Sequence, residues 1–569
     1  YEIVSRDWSS DVCSSDLGFG FTSAVAVRRW PPVLLSFFVL FGAESSIGAE
    51  VQRSSAPPVL RVFIPGAFSG CTVTSPNTSD ALRAVLTLTR PSAFSTHPTG
   101  RYVGAGGPIV SAELVSDEPQ TVAYTVDPRF VWSNGEAFSI ADLEQRIDAG
   151  QSSSESWADG FHHIARTKVT NHAKTLRVVF GTHYASWANM FQGLEFHSTA
   201  PVCSLGTVSE RPSLGPYLLE SLNSHRAVLV ANPQFRVRSQ QFRTVVIEAG
   251  ASSGSTQGRP VVDYRIDPSS TDLTWMASLP GRSGKISMSQ NLLSLTFSSG
   301  SAAMRAPEIR TALSFAVDRW SILNTAIGDI TQYTAPAASA LLTQGQSGYP
   351  GVIAVAPYQV AGTTLEKVPT PPYVGSHESD CPVCARDALA QFLHVSAGDI
   401  TSSQFRGNLR LGVVSGRLPI QVAEAVSRSW RELGFRTRIV TIATEVELSQ
   451  ALTEGQVDAG VTTTISGNAG RVGATWSGSR RRGSTDYGWR STVCNQVAIA
   501  AESDFNATTA TQKWLTCDRE IAEKFWQRPL FAIPYSLQWP NTVLGVAPSN
   551  TLDGFVDQIP QWSSLQSAG

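Results

Sequence analysis

No G-x-G-x-x-G or Walker A sequence occurs anywhere in the chain, so nucleotide binding has no support. Charge is scarce too. Only 16% of residues are charged, and the net charge of -2 gives no electrostatic case for a polyanionic partner, which disfavours nucleic acid. Beyond residue 43 no run is long and apolar enough for a membrane span. His162, His163 and His172 have no i, i+4 partner arrangement and read as surface or hinge histidines. No internal repeat is evident. What is present is a 42% hydrophobic fraction typical of a soluble globular protein, in a chain of 569 residues that needs two or three lobes. Plentiful Gly, Pro, Ser and Thr beside so little charge suit an exported, loop-rich protein.

The leader region divides in two. Residues 6–17 (RDWSSDVCSSDL) resemble translated sequencing adapter, so 1–17 are set aside as an artefact, Cys13 with them. Arg28-Arg29 and the apolar run 33–43 then read as the basic and hydrophobic regions of a signal peptide covering 18–49. A twin-arginine reading lacks its surrounding consensus. Phe68-Ser69-Gly70-Cys71 looks like a lipobox, but Arg61 and Pro65 precede it, so a lipid anchor at Cys71 is disfavoured. Residues 59–64 (VLRVFI) read instead as the first strand.

The chain is organised around residues 124–147, YTVDPRFVWSNGEAFSIADLEQRI. Alternating apolar residues predict a strand, Asn134-Gly135 a tight turn with positive φ at both centres, and Ser139 with Asp142 the capped start of a helix. Trp132, Asn134, Gly135, Phe138, Ser139 and Asp142 match in order the signature of the family 5 extracytoplasmic solute-binding proteins, the receptors of oligopeptide, dipeptide and nickel ABC importers. Further matches follow down the chain. Gly215-Pro216-Tyr217 leads to strands at 217–219 and 227–230 and to Asn232-Pro233. Residues 306–328 predict two helices, with Pro307 in the first turn, Asp318-Arg319 on the polar side and Gly328 as the stop. Residues 409–414, 418–433 and 434–442 give strand, helix, strand. Val457-Asp458-Ala459 opens a strand expected at 457–461, and Gln527-Arg528-Pro529-Leu530 begins the C-terminal return. A helix is expected at 187–194. Two positions depart from the family pattern: Ser298 stands where an asparagine is usual and Thr311 where a glutamine is. The nearest flavour is that of actinobacterial envelope lipoproteins of this fold.

Two stretches invite other chemistry. Gly250–Gly254 matches G-x-S-x-G, but the residues after Ser252 will not start a helix, so a secreted serine hydrolase is only a remote alternative. Cys381 and Cys384, with His377 and Asp380 nearby, have ligand types for a metal, yet in an exported chain the thiols are expected to close on each other. Arg480–Arg482 reads as a solvated loop.

The resemblance implies an α/β, periplasmic-binding-protein-like fold: two α/β lobes with a hinge plus a small additional α+β domain. It places the first lobe at 58–90, the extra domain at 91–200, the first lobe again at 201–275, the second lobe at 276–525 and a C-terminal return at 526–569. It also implies the disulfides Cys71–Cys203, Cys381–Cys384 and Cys494–Cys517. The expected function is that of an extracytoplasmic receptor, not an enzyme, that takes an oligopeptide or dipeptide between its lobes and delivers it to an ABC permease in the membrane. It would act as a monomer, without cofactor or metal. The alternative is a non-transport envelope protein regulating or scaffolding cell-wall glycolipid synthesis. The ligand is expected against Thr463, Thr464, Ser466 and Asn468, with Trp476, Tyr487 and Trp489 as an aromatic wall and Ser69 opposite.

Overall fold

β-Branched and aromatic residues, alternating where one face is wet and continuous where both are covered, mark out the strands. In chain order these are β1 (Val59–Pro65), β2 (Ser95–Thr96), β3 (Tyr102–Val103), β4 (Ile109–Asp117), β5 (Gln120–Val126), β6 (Ile164–Thr170), β7 (Thr175–Phe180), β8 (Tyr217–Leu222), β9 (Arg226–Ala231), β10 (Thr244–Gly250), β11 (Val261–Ile266), β12 (Arg282–Phe297), β13 (Asn408–Val414), β14 (Arg436–Ile442), β15 (Ala459–Ile465) and β16 (Gln527–Pro540). The computed structural model describes residues 58–565 except 71–77, 94, 97–101, 104–106, 154–155, 172–173, 185–186, 188–189, 197–210, 237–239, 251–260, 268–280, 329–334, 344–348, 350–381, 395–407, 466–475, 477–485, 503, 505–506, 548 and 550–551.

A single ten-stranded sheet runs in the order β14-β13-β15-β12-β16-β11-β1-β10-β9-β8. Its axis is the antiparallel pair β12 and β16, which are 16 and 14 residues long. At about 3.3 Å per residue each spans roughly 45–50 Å, enough to serve two cores. One core gathers Leu60, Val62 and Ile64 of β1 with Leu82 and Leu86 of the helix Asp80–Thr89 and with Leu537 and Trp562. The other gathers Leu293 and Leu295 of β12 with Leu411, Val413, Trp430, Leu530 and Phe531. Adjoining it is a third cluster, built on Trp476, Trp514 and Trp526. Between the first two, β12 bulges. Met288 pairs with Pro534 and Leu292 with Ala532, so residues 289–291 stand against Ile533 alone. Ser289 closes the bulge: its hydroxyl donates to the Ile533 carbonyl at 2.6 Å and accepts the Asn291 amide at 3.1 Å. A bulge bends and twists the strand that carries it, which here sets one lobe against the other. This is a periplasmic-binding-protein-like fold with two α/β lobes.

The small domain is the antiparallel sheet β4-β5-β7-β6 with the helix Ile140–Ser152, around Val122, Tyr124, Trp132 and Leu143. A short β2–β3 ladder stands apart from that sheet. The organising stretch folds as strand, turn and capped helix, with one difference. The Gly135 amide donates to the Trp132 carbonyl, the Trp132 amide donates to the Glu136 carbonyl, and only Gly135, not Asn134, has positive φ. This is a turn followed by a one-residue bulge, because the Asn134 side chain accepts the Glu136 amide instead of turning left-handed itself. The helix begins with the Ser139 amide and hydroxyl both reaching the Asp142 carboxylate, at 2.8 and 3.1 Å.

Two other expectations need correction. In the segment expected as a helix at 187–194, residues 190–194 turn instead, with φ of +62° at Phe191 and +58° at Gly193. Arg319 is not on a polar face. It is wholly buried, and its Nη1 donates to the carbonyls of Ala337 and Pro529, while Asp318 caps the helix Arg319–Ile327. Ser298, where the family usually has an asparagine, is buried, and its hydroxyl donates to the Leu452 carbonyl and accepts the Ser301 amide. Cys494 and Cys517 are bonded, with Cα atoms 4.6 Å apart. Cys384 is also in a disulfide, and its partner lies outside the described residues, as do Cys71, Cys203 and Cys381.

Gly215, two residues before β8, packs against the end of the helix Asp80–Thr89. A Cβ there would lie 2.2 Å from the Leu88 carbonyl oxygen, a backbone atom that cannot rotate away. Gly215→Ala is therefore expected to destabilise the chain by about 2–3 kcal/mol. A urea midpoint unchanged from wild type would contradict this packing.

Candidate functional site

The register of the sheet decides where a ligand crevice can form. β11 runs from Asp263 opposite Gln538 to Ile266 opposite Tyr535, toward the bulge. β1 and β10 are parallel to it. On the other side, β15 runs from Ala459 opposite Phe297 to Ile465 opposite Asn291, again toward the bulge, and β13 and β14 are parallel to β15. The carboxyl ends of both lobes' parallel strands thus converge on one place. In open α/β sheets such ends border the ligand crevice.

On the second lobe the strands part at this edge. β13 pairs with β15 only over Ala459–Val461, although β15 continues to Ile465. The freed Thr463 amide is taken by Glu445, whose Oε1 accepts it at 2.9 Å. Glu445 is the first residue of the helix Glu445–Thr453, capped by the Thr444 hydroxyl on the Glu447 amide. A carboxylate at that position also meets the positive end of the helix dipole. Its second oxygen, Oε2, is buried with no partner among the described residues, and so is the Thr464 hydroxyl. Burial pushes the Glu445 carboxyl up to about 7, against the pull of its Thr463 hydrogen bonds.

On the first lobe, β1 ends in a turn at Gly66, whose φ of +107° suits glycine and whose amide donates to Gly250. The chain then reaches Ser69, an exposed residue held by two bonds to Ser79: its amide donates to the Ser79 hydroxyl at 3.1 Å and its carbonyl accepts the Ser79 amide at 2.8 Å. β11 is followed by Asp267, whose amide donates to the Pro534 carbonyl. The Asp267 carboxylate meets the guanidinium of Arg417, the first residue of the second-lobe helix Arg417–Glu432. One ion pair therefore links the two edges.

The residues expected to bind ligand are distributed as follows. Thr462, Thr463 and Thr464 lie within β15 rather than in a loop after it, because the strand begins two residues later and ends four later than expected. Thr462 is buried with its hydroxyl on that of Thr296, at 2.7 Å. Ser466 and Asn468 lie outside the described residues. Trp476 and Tyr487 are 1% exposed and belong to the second-lobe core, tilted against each other at 5.5 Å, with Trp476 stacked on Trp526 at 6.1 Å. Trp489 is half-buried. It stacks on Trp526 at 5.4 Å, donates to the Phe297 carbonyl and faces the Arg310 guanidinium at 4.7 Å. Glu445, Asp267 and Arg417 were not singled out from sequence. The available signal was the Thr444-x-x-Glu447 capping pattern, placed directly after the strand expected at 434–442.

A second carboxyl behaves like that of Glu445. Asp518, buried beneath the Ser339 hydroxyl and the Ala340 amide, is also pushed up to about 7 by burial. Between an unfolded value near 4 and a folded value near 7 the native state holds more protons than the unfolded chain. Stability therefore falls as pH rises through that window and levels off above it. Each group contributes up to about 3–4 kcal/mol of this fall. Asp127 is held low by its Arg129 hydrogen bonds against the push of burial; at Asp458 burial is the strongest single influence and pushes up, but Arg410 and the Ser301 hydroxyl together hold the group low, and both carboxyls act in the opposite sense below about pH 4. Urea unfolding at pH 5 and pH 8 should show the more acid sample to be more stable, with Glu445→Gln and Asp518→Asn each reducing the difference. An equal difference in both variants would contradict the assignment.

Comparison with known proteins bears on this geometry. Residues 109–480 match the family described as bacterial extracellular solute-binding proteins, family 5, middle region. The oligopeptide-binding proteins OppA of Mycobacterium tuberculosis and of Mycobacterium bovis are each 25% identical over 296 residues, 48% of this chain and 50% of theirs. The chain thus spans about half the length of the curated relatives it matches. Among solved structures, the periplasmic EDTA-binding protein EppA superposes with a TM-score of 0.72 at 18% identity, over 89% of this chain and 96% of that one. The oligopeptide-binding protein AppA of Bacillus subtilis, in complex with a nonapeptide, gives 0.69 at 12% identity, over 89% and 99%. With the family match covering more than half of its length, the chain belongs to the bacterial extracellular solute-binding proteins of family 5.

Proposed function

We propose that this chain is the extracytoplasmic receptor of an ABC importer and that it holds a short peptide between its two lobes, without covalent chemistry. The observation that carries the reading is the convergence of both lobes' strand ends on the β12 bulge, with the Glu445 carboxyl beside the unpaired edge of β15. Binding proteins of this kind work by lobe closure, and closure needs a flexible crossing with ligand-binding groups on both sides of it. The OppA relatives and the AppA complex bind oligopeptides, as their names state.

A peptide suits the edge for a physical reason. The ligand's ammonium group is the natural partner of Glu445. When that carboxylate turns to the ammonium, the Thr463 amide is released to donate to a ligand carbonyl, in the manner of an added strand. The Thr464 hydroxyl, with Ser466 and Asn468 beyond it, supplies neutral hydrogen bonds, and Ser69 approaches from the first lobe. Delivery is to a membrane permease, by a monomeric receptor.

The pH dependence of binding tests this reading. A carboxyl that titrates near 7 when the site is empty is neutral at pH 5.5, so capture of a cation there must release a proton. Calorimetric titration of a pool of tri- to pentapeptides should give tighter binding at pH 7.5 than at 5.5, with proton release at the lower pH detected from buffers of different ionisation enthalpy. Glu445→Gln should weaken binding about tenfold, or about 1.4 kcal/mol, and abolish the release. Equal affinity for amino-acetylated peptides would remove Glu445 from the reading, and no peptide binding at millimolar concentration would overturn the peptide assignment.

A further inference from the structure

Asp267 and Arg417 are set in place from opposite sides of the crossing. Asp267 follows β11, and its amide donates to the carbonyl of Pro534, the neighbour of the bulge partner Ile533. Its φ is +57°, a left-handed conformation that aspartate and asparagine tolerate better than most side chains. Arg417 is fixed within the second lobe. Its Nη1 donates to the Ala326 carbonyl at 3.2 Å, near the end of the helix Arg319–Ile327, and to Gln421 Oε1 at 2.9 Å, one turn along its own helix. Its Nη2 donates to the Asp267 carboxylate. Arg417 begins that helix, where the positive end of the dipole disfavours a cation and favours an incoming carboxylate. The Gly416 cap has no side chain to meet that end.

The pairs Arg61–Glu248 and Arg265–Asp263 stay within the first lobe, and Arg410–Asp458 and Arg490–Asp486 within the second. Asp267–Arg417 crosses from one to the other, and its side chains are 20% and 38% exposed, so water can replace the contact when the edges part. We propose that this pair is a latch: it forms as the lobes close, holds part of the ligand-free population closed, and so sets the affinity for every ligand alike. Closure swings the two edges together about the β12 bulge, and side chains that reach each other only across those edges contribute only when they meet. A ligand that needs the closed arrangement binds with an apparent affinity proportional to the closed fraction. Asp267 and Arg417 are thus positioning residues, which act without touching ligand. The effect on affinity rests on the reading that ligand is held between the lobes; the latch itself acts in the empty protein.

Double electron–electron resonance between nitroxide labels at Ser224→Cys, in the β8–β9 turn, and Glu424→Cys, on the helix Arg417–Glu432, reads lobe separation without ligand; both positions are exposed. The proposal expects two populations in the parent chain, with Asp267→Asn moving their ratio about two- to fivefold toward the longer distance. Asparagine accepts the same φ, so this variant removes the charge and keeps the backbone. Arg417→Gln should act alike, and the double variant no more than either single one. Sodium chloride at about 0.5 M should shift the parent in the same direction and leave the variants as they are. Arg61→Gln, which breaks a pair within the first lobe, should change nothing. Calorimetry with the peptide pool should show Asp267→Asn weakening free and amino-acetylated peptides by the same factor. Should Asp267→Asn not fold, Arg417→Gln and the salt series decide. Unchanged distances in the charge variants, full additivity in the double variant, or a loss of affinity confined to one class of peptide would overturn the latch. A shift in distances with no peptide binding would strike the peptide reading and leave the latch standing.

Discussion

The bulge of three β12 residues against Ile533 is the constraint on which the rest of the structure depends. A flat pairing of two strands this long would carry one continuous surface. With Ser289 holding the extra residues by two hydrogen bonds, the pair bends, and each half faces its own core. Ile266, at the end of β11, packs against both cores, so the crossing is apolar inside as well as hydrogen-bonded along its length. Because parallel strands on either side run toward the bulge, every loop that leaves their carboxyl ends arrives at the same crevice. The site follows from the direction of the strands before any side chain is considered.

Buried polar groups then fix the second lobe to this frame. Asp458 receives the Arg410 amide, the Arg410 guanidinium and the Ser301 hydroxyl, tying the start of β15 to β13 and to the turn after β12. Arg528 and Arg319 lie in the interior. They donate to Ser314 and to the carbonyls of Val317, Ala337 and Pro529, pinning the first residues of β16 against the two helices that follow β12. Arginine suits this role because its donors fan out from a planar group that is always charged. Removing any one of these partners leaves a buried polar group unsatisfied, which is how a mostly hydrogen-bonded interior specifies a single arrangement.

Much of the fold was legible in the sequence because it is local. Ser139 with Asp142, Pro307 at the start of one helix and Gly328 at the end of the next act within a few residues, and each does in the structure what its type favours. The alternation of β5 is read directly in its burial, with Gln120, Val122, Tyr124 and Val126 inside. The errors come from long-range packing. Arg319 looks solvent-facing in a helical pattern, yet β16 supplies the Pro529 carbonyl from more than two hundred residues away. The threonines of β15 look like a polar loop, yet β12 pairs with them and buries Thr462. Glu445 escapes notice altogether, because its importance comes from the parting of β13 and β15, an event of sheet geometry that no spacing encodes. Family order, by contrast, was legible from motifs spread along the chain, since their sequence reflects the order in which strands enter the sheet.

Hydrogen–deuterium exchange of the mature chain, with and without a saturating pool of tri- to pentapeptides, measures the central claim most directly: that ligand is held where both lobes' strand ends meet the β12 bulge. The account predicts protection concentrated at residues 66–69, 288–292, 444–446 and 463–465, with the outer strands β8 and β14 little changed. Peptide binding that protects other segments and leaves these four exchanging as before would contradict it.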